Sequence, residues 1–127
     1  METDTLILNA HEASTLVSMT PAEIDAEPQR ARAAARCRQM IITRGGDPTL
    51  VITAGGILNI APPQFIPVDA VGAGDAFAGA FTVACASGMR LEAAIHFANA
   101  AGALATQGMG AQASIPGRDA IVALMGR

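Results

Sequence analysis

The chain has 127 residues, of which 51% are hydrophobic but only 3% aromatic, and eight basic side chains, all arginine, stand against eleven acids for a formal net charge of −3. That length suits about one domain, with a core that must be built from Ala, Val, Ile, Leu and Met. No basic stripe is present to neutralise nucleic-acid phosphates, no basic region opens the chain, and the longest apolar run, AFAGAFTVACA (76–86), is too short to span a bilayer, so neither nucleic acid nor membrane is expected as a partner. A cytoplasmic location follows. Cys37 and Cys85 are too few and too far apart for a metal motif or a disulfide framework, and are expected to be buried, reduced thiols.

TLILN (5–9) is a short apolar run ending on a polar residue, as a buried strand does. HEASTLVSM (11–19) follows at helical spacing. TPAE (20–23) places Thr, then Pro at the first helical position, then Glu at the third, which is a capping box. The helix it opens breaks at Pro28, and a second covers 29–38, with Arg30, Arg32, Arg36 and Arg38 on a solvated face. The strand MIIT (40–43) comes next, then the turn-rich TRGGDPT (43–49), then TLVIT and ILNI as a hairpin around AGG (49–60). APPQFIP (61–67) is a proline-stiffened connector. Two helices, about 75–87 and 91–107, are separated by Gly88 as a C-cap, and with Ala and Gly on nearly every face both are expected to be largely buried. GMGAQAS (108–114) leads through IPGR to a last helix at about 117–126. This order predicts a layered α/β piece that is strand-poor for a whole α/β domain.

The chemistry concentrates in VDAVGAGDAF (68–77). Glycines before a helix start let backbone N–H groups approach an anion, and the helix N-terminus adds partial positive charge. The common phosphate loops do not fit. Phe77 stands where a dinucleotide fingerprint needs its third glycine, and Ala80 and Phe81 follow the Gly74/Gly79 pair where a Walker loop needs Lys and Ser or Thr. An anion nest whose helix begins with an acid, Asp75, repels phosphate unless that acid takes a proton from an attacking hydroxyl. The competing local reading of Asp75 is a helix N-cap.

The stretch D-A-V-G-A-G-D-A-F resembles the signature of the ribokinase-like (PfkB) carbohydrate kinases, roughly D-T-x-G-A-G-D-x-F. N-A-H-E (9–12) is similar to that family's N-x-x-E motif, I-T-R-G-G (42–46) to its nucleotide loop, and F-A-N-A-A (97–101) and G-A-Q-A-S-I-P (110–116) to its ribose-specific members. The resemblance implies a ribokinase-like layered α/β/α fold of which residues 1–127 are the C-terminal, ATP-binding and catalytic part, with the N-terminal half and lid absent. It implies ATP-dependent phosphoryl transfer to a sugar hydroxyl, with ribose the first candidate. Asp75 would be the general base, and Gly72, Ala73 and Gly74 an anion hole. Asn9 and Glu12 would lie near the triphosphate and a hydrated Mg²⁺. Thr43, Arg44, Gly45 and Gly46 would border the nucleotide, with Asn99 close to adenine or ribose. Asp69, Val71, Ala105, Gly108, Gly110 and Ser114 match a loop that binds K⁺.

Two positions depart from the family pattern: Ala70 replaces a hydroxyl residue, and Pro48 occupies the second glycine of the nucleotide loop, where it has no N–H to donate. Family members are also much longer, so TLILN would lose a strand partner on one edge. The second reading is therefore a non-catalytic nucleotide-binding remnant or a fragment that pairs with another polypeptide, such as a missing N-terminal half. A homodimer is the other assembly considered.

Overall fold

A computed structural model describes residues 3–63 and 73–105. Their elements run β1 (Thr3–Asn9), α1 (Ala10–Val17), α2 (Pro21–Ala26), α3 (Pro28–Ala35), β2 (Cys37–Arg44), β3 (Asp47–Thr53), β4 (Gly56–Ile60), α4 (Ala73–Ala86) and α5 (Leu91–Ala105). The chain divides into two units, Met1–Asn59 and Ile60–Arg127. The expected α/β class holds. The connector beyond Pro63, the loop before Ala73, GMGAQAS and the helix expected at 117–126 lie outside the described residues.

In the first unit, the two central strands are apolar on both faces and bury continuous runs, Met40 to Ile42 and Thr49 to Ile52. Strand order is β1-β2-β3-β4, with β1 parallel to β2 and β2 antiparallel to β3. Met40 pairs with Ile52 and Ile42 with Leu50, and all four join one core with Ala13, Val17, Met19, Ile24 and Ala31 of the α1–α3 segment. Leu6 and Leu8, two apart on β1, pack on the same side. Ile41 and Val51, paired between them, point to the opposite face and are also fully buried. Among the described residues β1 pairs only with β2, so one of its edges is open, as TLILN was expected to be.

Helix ends follow capping chemistry. Thr20 accepts from the Glu23 N–H, and Glu23 accepts from the Thr20 N–H, which closes the expected capping box with Pro21 in the first turn. Arg36 and Cys37 correct the sequence reading. Arg36 adopts left-handed backbone (φ 55°, ψ 51°) and ends α3 at Ala35, and pairing of Cys37 with Thr3 draws the next residues into β2. Sheet pairing thus overrides the helix propensity of the alanine run. The arginine cluster is split: Arg30 and Arg32 ride on α3, Arg36 is its cap, and Arg38 lies on a strand.

The second unit holds α4 and α5. Gly88 (φ +84°) ends α4 as expected. The Gly88 N–H donates to the Cys85 carbonyl and the Met89 N–H to the Ala84 carbonyl, the paired bonds of a Schellman cap. Burial of the two helices differs from expectation. α5 is buried on most sides, but α4 buries one stripe, Ala76, Phe77, Ala80, Phe81 and Ala84, and exposes Thr82, Val83 and Cys85. Phe77 and Phe81 stack one turn apart with ring centroids 6.5 Å apart. Cys37 is buried, as read from the sequence, whereas Cys85 is exposed.

The Thr20 N–H, then the Thr20 side chain, hold the Glu23 carboxyl below its ordinary range; slight desolvation opposes this and Arg30 assists it. A lowered folded pKa means that this contribution to stability is complete above the unfolded value and is lost as pH falls through the folded one. Thermal unfolding of Glu23→Gln, which keeps an acceptor for the box, is expected to show a shallower loss of Tm between about pH 5 and pH 3 than the parent chain. Equal slopes would reject the assignment.

Candidate functional site

The parallel pair β1/β2 determines what lies together in the first unit. Its register sets Asn9 opposite Thr43, so N-A-H-E and I-T-R-G-G meet at the carboxyl ends of two neighbouring strands. That end of a parallel pair is where open α/β sheets bind ligands. At the junction Asn9 leaves the strand (φ −80°, ψ 171°) and caps α1. Its Oδ1 accepts from the Glu12 N–H at 2.8 Å, while Glu12 Oε1 accepts from the Asn9 N–H at 2.9 Å. The reciprocal pair is a second capping box, with both residues exposed. Glu12 is thereby held with one carboxylate oxygen on the backbone, at a helix N-terminus that carries partial positive charge.

Across the register, the Thr43 hydroxyl lies 3.5 Å from the Leu8 carbonyl. Arg44 pairs with Asp47, leaving Gly45-Gly46 as a two-residue turn in which Gly45 has φ +64°. Between the pairs Ile42–Leu50 and Arg44–Asp47, β2 has only Thr43 while β3 has Pro48 and Thr49, a β-bulge on the proline strand. A bulge is where a ladder tolerates a residue without an N–H, which accounts for Pro48 in place of the second glycine. Its carbonyl is used, accepting from Arg44 Nε at 2.8 Å. The rest of the Arg44 guanidinium is engaged by Asp25 (3.0 Å) and Asn59 (2.7 Å).

In the second unit, Ala73 and Gly74 open α4 and Asp75 follows in its first turn, exposed and without a side-chain hydrogen bond among the described residues. The N–H groups of such a turn have no intrahelical acceptor. A Cβ placed on Gly74 would meet nothing within 4 Å, so packing among the described residues does not demand glycine there. Gly102 of α5 is different: its Cβ would lie 3.4 Å from the Ala73 carbonyl oxygen and 3.9 Å from Phe77 Cβ. Asn99 and Ala105 are one turn either side of Gly102, and so share the face of α5 that meets the start of α4. Asn99 is buried, and its amide donates to the Ile60 carbonyl at 3.1 Å.

Asn9, Glu12, Thr43, Arg44, Gly45 and Gly46 are therefore grouped in one unit, and Ala73, Gly74, Asp75, Asn99 and Ala105 in the other. Asp69, Val71, Gly72, Gly108, Gly110 and Ser114 lie outside the described residues. Among the described residues no three His, Cys, Asp or Glu side chains gather into a metal cage. Among the described residues, no helix is long and apolar enough to cross a membrane. Asp25 and Asn59 could not be found from local pattern. Gly102, a lone glycine in a helical run, did carry a signal of close approach.

Comparison with known proteins gives these groups a family. Residues 1–118 match the profile of the pfkB family carbohydrate kinases, and the chain belongs to that family. It is 42% identical over 74 residues to a ribokinase of Bacillus subtilis, covering 57% of this chain and 25% of that protein. It is 41% identical over 85 residues to an aminoimidazole riboside kinase of Salmonella typhimurium, covering 63% and 27%. The structure of Arabidopsis thaliana ribokinase complexed with ribose and ATP superposes with a TM-score of 0.84 at 29% identity, over 96% of this chain and 40% of that one. The ribokinase-like fold read from the sequence is thus present, and the chain spans only about a quarter of the length of the two curated relatives.

The close approach at Gly102 sets a packing test. Gly102→Ala is expected to change stability by less than about 1 kcal/mol, because gained helix propensity offsets a tight contact. Gly102→Leu should cost about 1–3 kcal/mol by overpacking against Ala73 and Phe77. Urea unfolding of the two variants measures both, and equal stabilities would show that α4 and α5 do not depend on the small residue.

Proposed function

We propose that this chain is the ATP-binding and catalytic-base part of a sugar kinase, corresponding to the C-terminal portion of the longer family members. The observation that carries the reading is Asp75: an exposed carboxylate in the first turn of α4, directly after a glycine that packing among the described residues does not require. The carboxylate accepts the proton of a sugar hydroxyl as that oxygen bonds to the γ-phosphorus of ATP and the bond to the ADP oxygen breaks. The N–H groups of Ala73 and Gly74, in a first helical turn that offers them no intrahelical acceptor, stabilise charge on the transferred phosphoryl group together with that of Gly72. A primary hydroxyl of ribose is the first acceptor to test, supported by the ribokinase and riboside kinase relatives.

Asn9, Thr43, Gly45 and Gly46 border the nucleotide at the strand ends, with Arg44 beside them and Asn99 on the adenosine side. Glu12 suits a hydrated Mg²⁺: a hard cation takes oxygen ligands through water, and the capping box ties only one of its two carboxylate oxygens. Bound there, Mg²⁺ would neutralise phosphate charge. Asp69, Val71, Ala105, Gly108, Gly110 and Ser114 form the K⁺ loop of this reading, and the enzyme would work in the cytoplasm.

One observation favours the second reading, nucleotide binding without catalysis by a chain that pairs with another polypeptide. β1 has an open edge among the described residues, in a chain that matches about a quarter of its curated relatives.

Calorimetry with MgATP and an ADP-release assay over a sugar panel separate the two readings. Under the first, Asp75→Asn keeps MgATP affinity within about twofold and lowers turnover by about 10²–10⁴-fold. Undiminished turnover would remove Asp75 as the base, and a folded chain that binds no adenine nucleotide would reject both readings. Glu12→Gln tests the metal role separately from the cap. Glutamine can still close the box, so stability should change by less than about 0.5 kcal/mol while the gain in ATP affinity on adding Mg²⁺ shrinks. An unchanged Mg²⁺ response would leave Glu12 with its capping role alone.

A further inference from the structure

Arg44 was expected to border the nucleotide phosphates, yet each of its three guanidinium nitrogens donates to the protein, through three of its five N–H groups. Nε donates to the Pro48 carbonyl at 2.8 Å, one terminal nitrogen to Asp25 Oδ1 at 3.0 Å, and the other to Asn59 Oδ1 at 2.7 Å. All three nitrogens are engaged, by α2, by β4 and by the strand that leaves the turn. The Arg44 side chain is only 22% exposed although Asp25 is 55% exposed, so the fork is the more enclosed partner. Arginine suits this because its planar donors, spread over three nitrogens, point in fixed directions, whereas lysine gathers its three donors on a single nitrogen.

We infer that Arg44 is a positioning residue of the Thr43–Gly46 turn, clamped by Asp25 and Asn59, and does not itself ligate phosphate. The inference rests on the nucleotide reading of that turn. Its physical basis is that a two-residue glycine turn beside a bulge has little to hold it. A Cβ at Gly45 or Gly46 would meet nothing within 4 Å, and the bulge removes regular pairing between Ile42 and Arg44. The clamp restores that order from outside the hairpin. It fixes the residue that follows Thr43 to α2, which is joined through the α1–α3 segment to the helix capped by Asn9 and Glu12. The two motifs at the strand ends are then held by the Asn9–Thr43 register and by the Asp25–Arg44 pair.

A phosphate-ligand role predicts the opposite behaviour on one variant. If Arg44 served phosphate, Asp25 would be its competitor, and Asp25→Asn would release the cation and tighten MgATP binding. As a clamp, Asp25→Asn loosens the turn and weakens binding. The experiment measures two quantities on the parent chain, Asp25→Asn, Asn59→Ala, Arg44→Gln and the Asp25→Asn/Arg44→Gln double variant. The first is hydrogen exchange at the Asp47 amide, which follows the turn, by NMR. The second is MgATP affinity by calorimetry, both at a temperature where every variant is folded.

Exchange at Asp47 is expected to rise about three- to tenfold in Asp25→Asn and in Asn59→Ala, as suits a partly exposed pair. MgATP affinity should fall by a similar factor, and the double variant should be no worse than Arg44→Gln. Unchanged exchange in both Asp25→Asn and Asn59→Ala would overturn the clamp. So would tighter MgATP binding in Asp25→Asn, additive losses in the double variant, or lower Tm with exchange and affinity intact. A parent chain that binds no nucleotide but shows the exchange response would keep the clamp and reject the proposed function, so the two failures are distinct.

Discussion

The parallel pairing of β1 with β2 is the constraint on which the first unit depends. Parallel strands cannot be joined by a tight turn, so the chain must cross over, and α1, α2 and α3 fill that crossover. The crossover gives Met40, Ile42, Leu50 and Ile52 a helical layer to pack against, because its own Ala13, Val17, Ile24 and Ala31 supply the facing residues. It also brings both carboxyl ends to one edge. Asn9 and Thr43 are 34 positions apart in sequence and become register partners for that reason alone. An antiparallel pair would have put the two motifs at opposite ends of the sheet.

At that edge one local interaction joins a structural role to the metal-binding role proposed for it. The N-x-x-E spacing that resembles a family motif is also the spacing of a capping box, and the structure shows the box closed. The two descriptions do not compete. A carboxylate tied by one oxygen to the backbone at a helix start has lost most of its rotamer freedom before any ligand arrives. That is the condition under which a single acid can orient a hydrated cation.

The sequence made the elements legible where local chemistry decides them. TPAE, Gly88, the apolar runs of the strands and, among the described residues, the open edge of TLILN all appear as read. It misled where long-range contact decides. No glycine marks the end of α3; Arg36 turns left-handed because Cys37 must meet Thr3. The composition of α4 suggested burial all round, but only the stripe from Ala76 to Ala84 has neighbours enough to be covered. The partners of Arg44 lie 19 and 15 positions away, so no motif of ordinary length contains them. Asp75 and Gly74 were legible as a pattern, and their placement at a helix start agrees with that pattern.

The glycines separate folding demands from the demands of a ligand. Gly45 and Gly88 hold positive φ, which other residues adopt at a cost, and Gly102 allows α5 to approach the Ala73 carbonyl. These three are explained by the fold. Gly46 and Gly74 have neither positive φ nor any described atom within 4 Å of a built Cβ, and glycine in the first turn of α4 weakens the helix relative to alanine. A residue that the backbone and the packing would both permit to be larger points to something outside the described chain. In the turn beside Thr43 and at the start of α4, the space a side chain would take is the space through which, in the proposed kinase site, an anion would reach the backbone N–H groups.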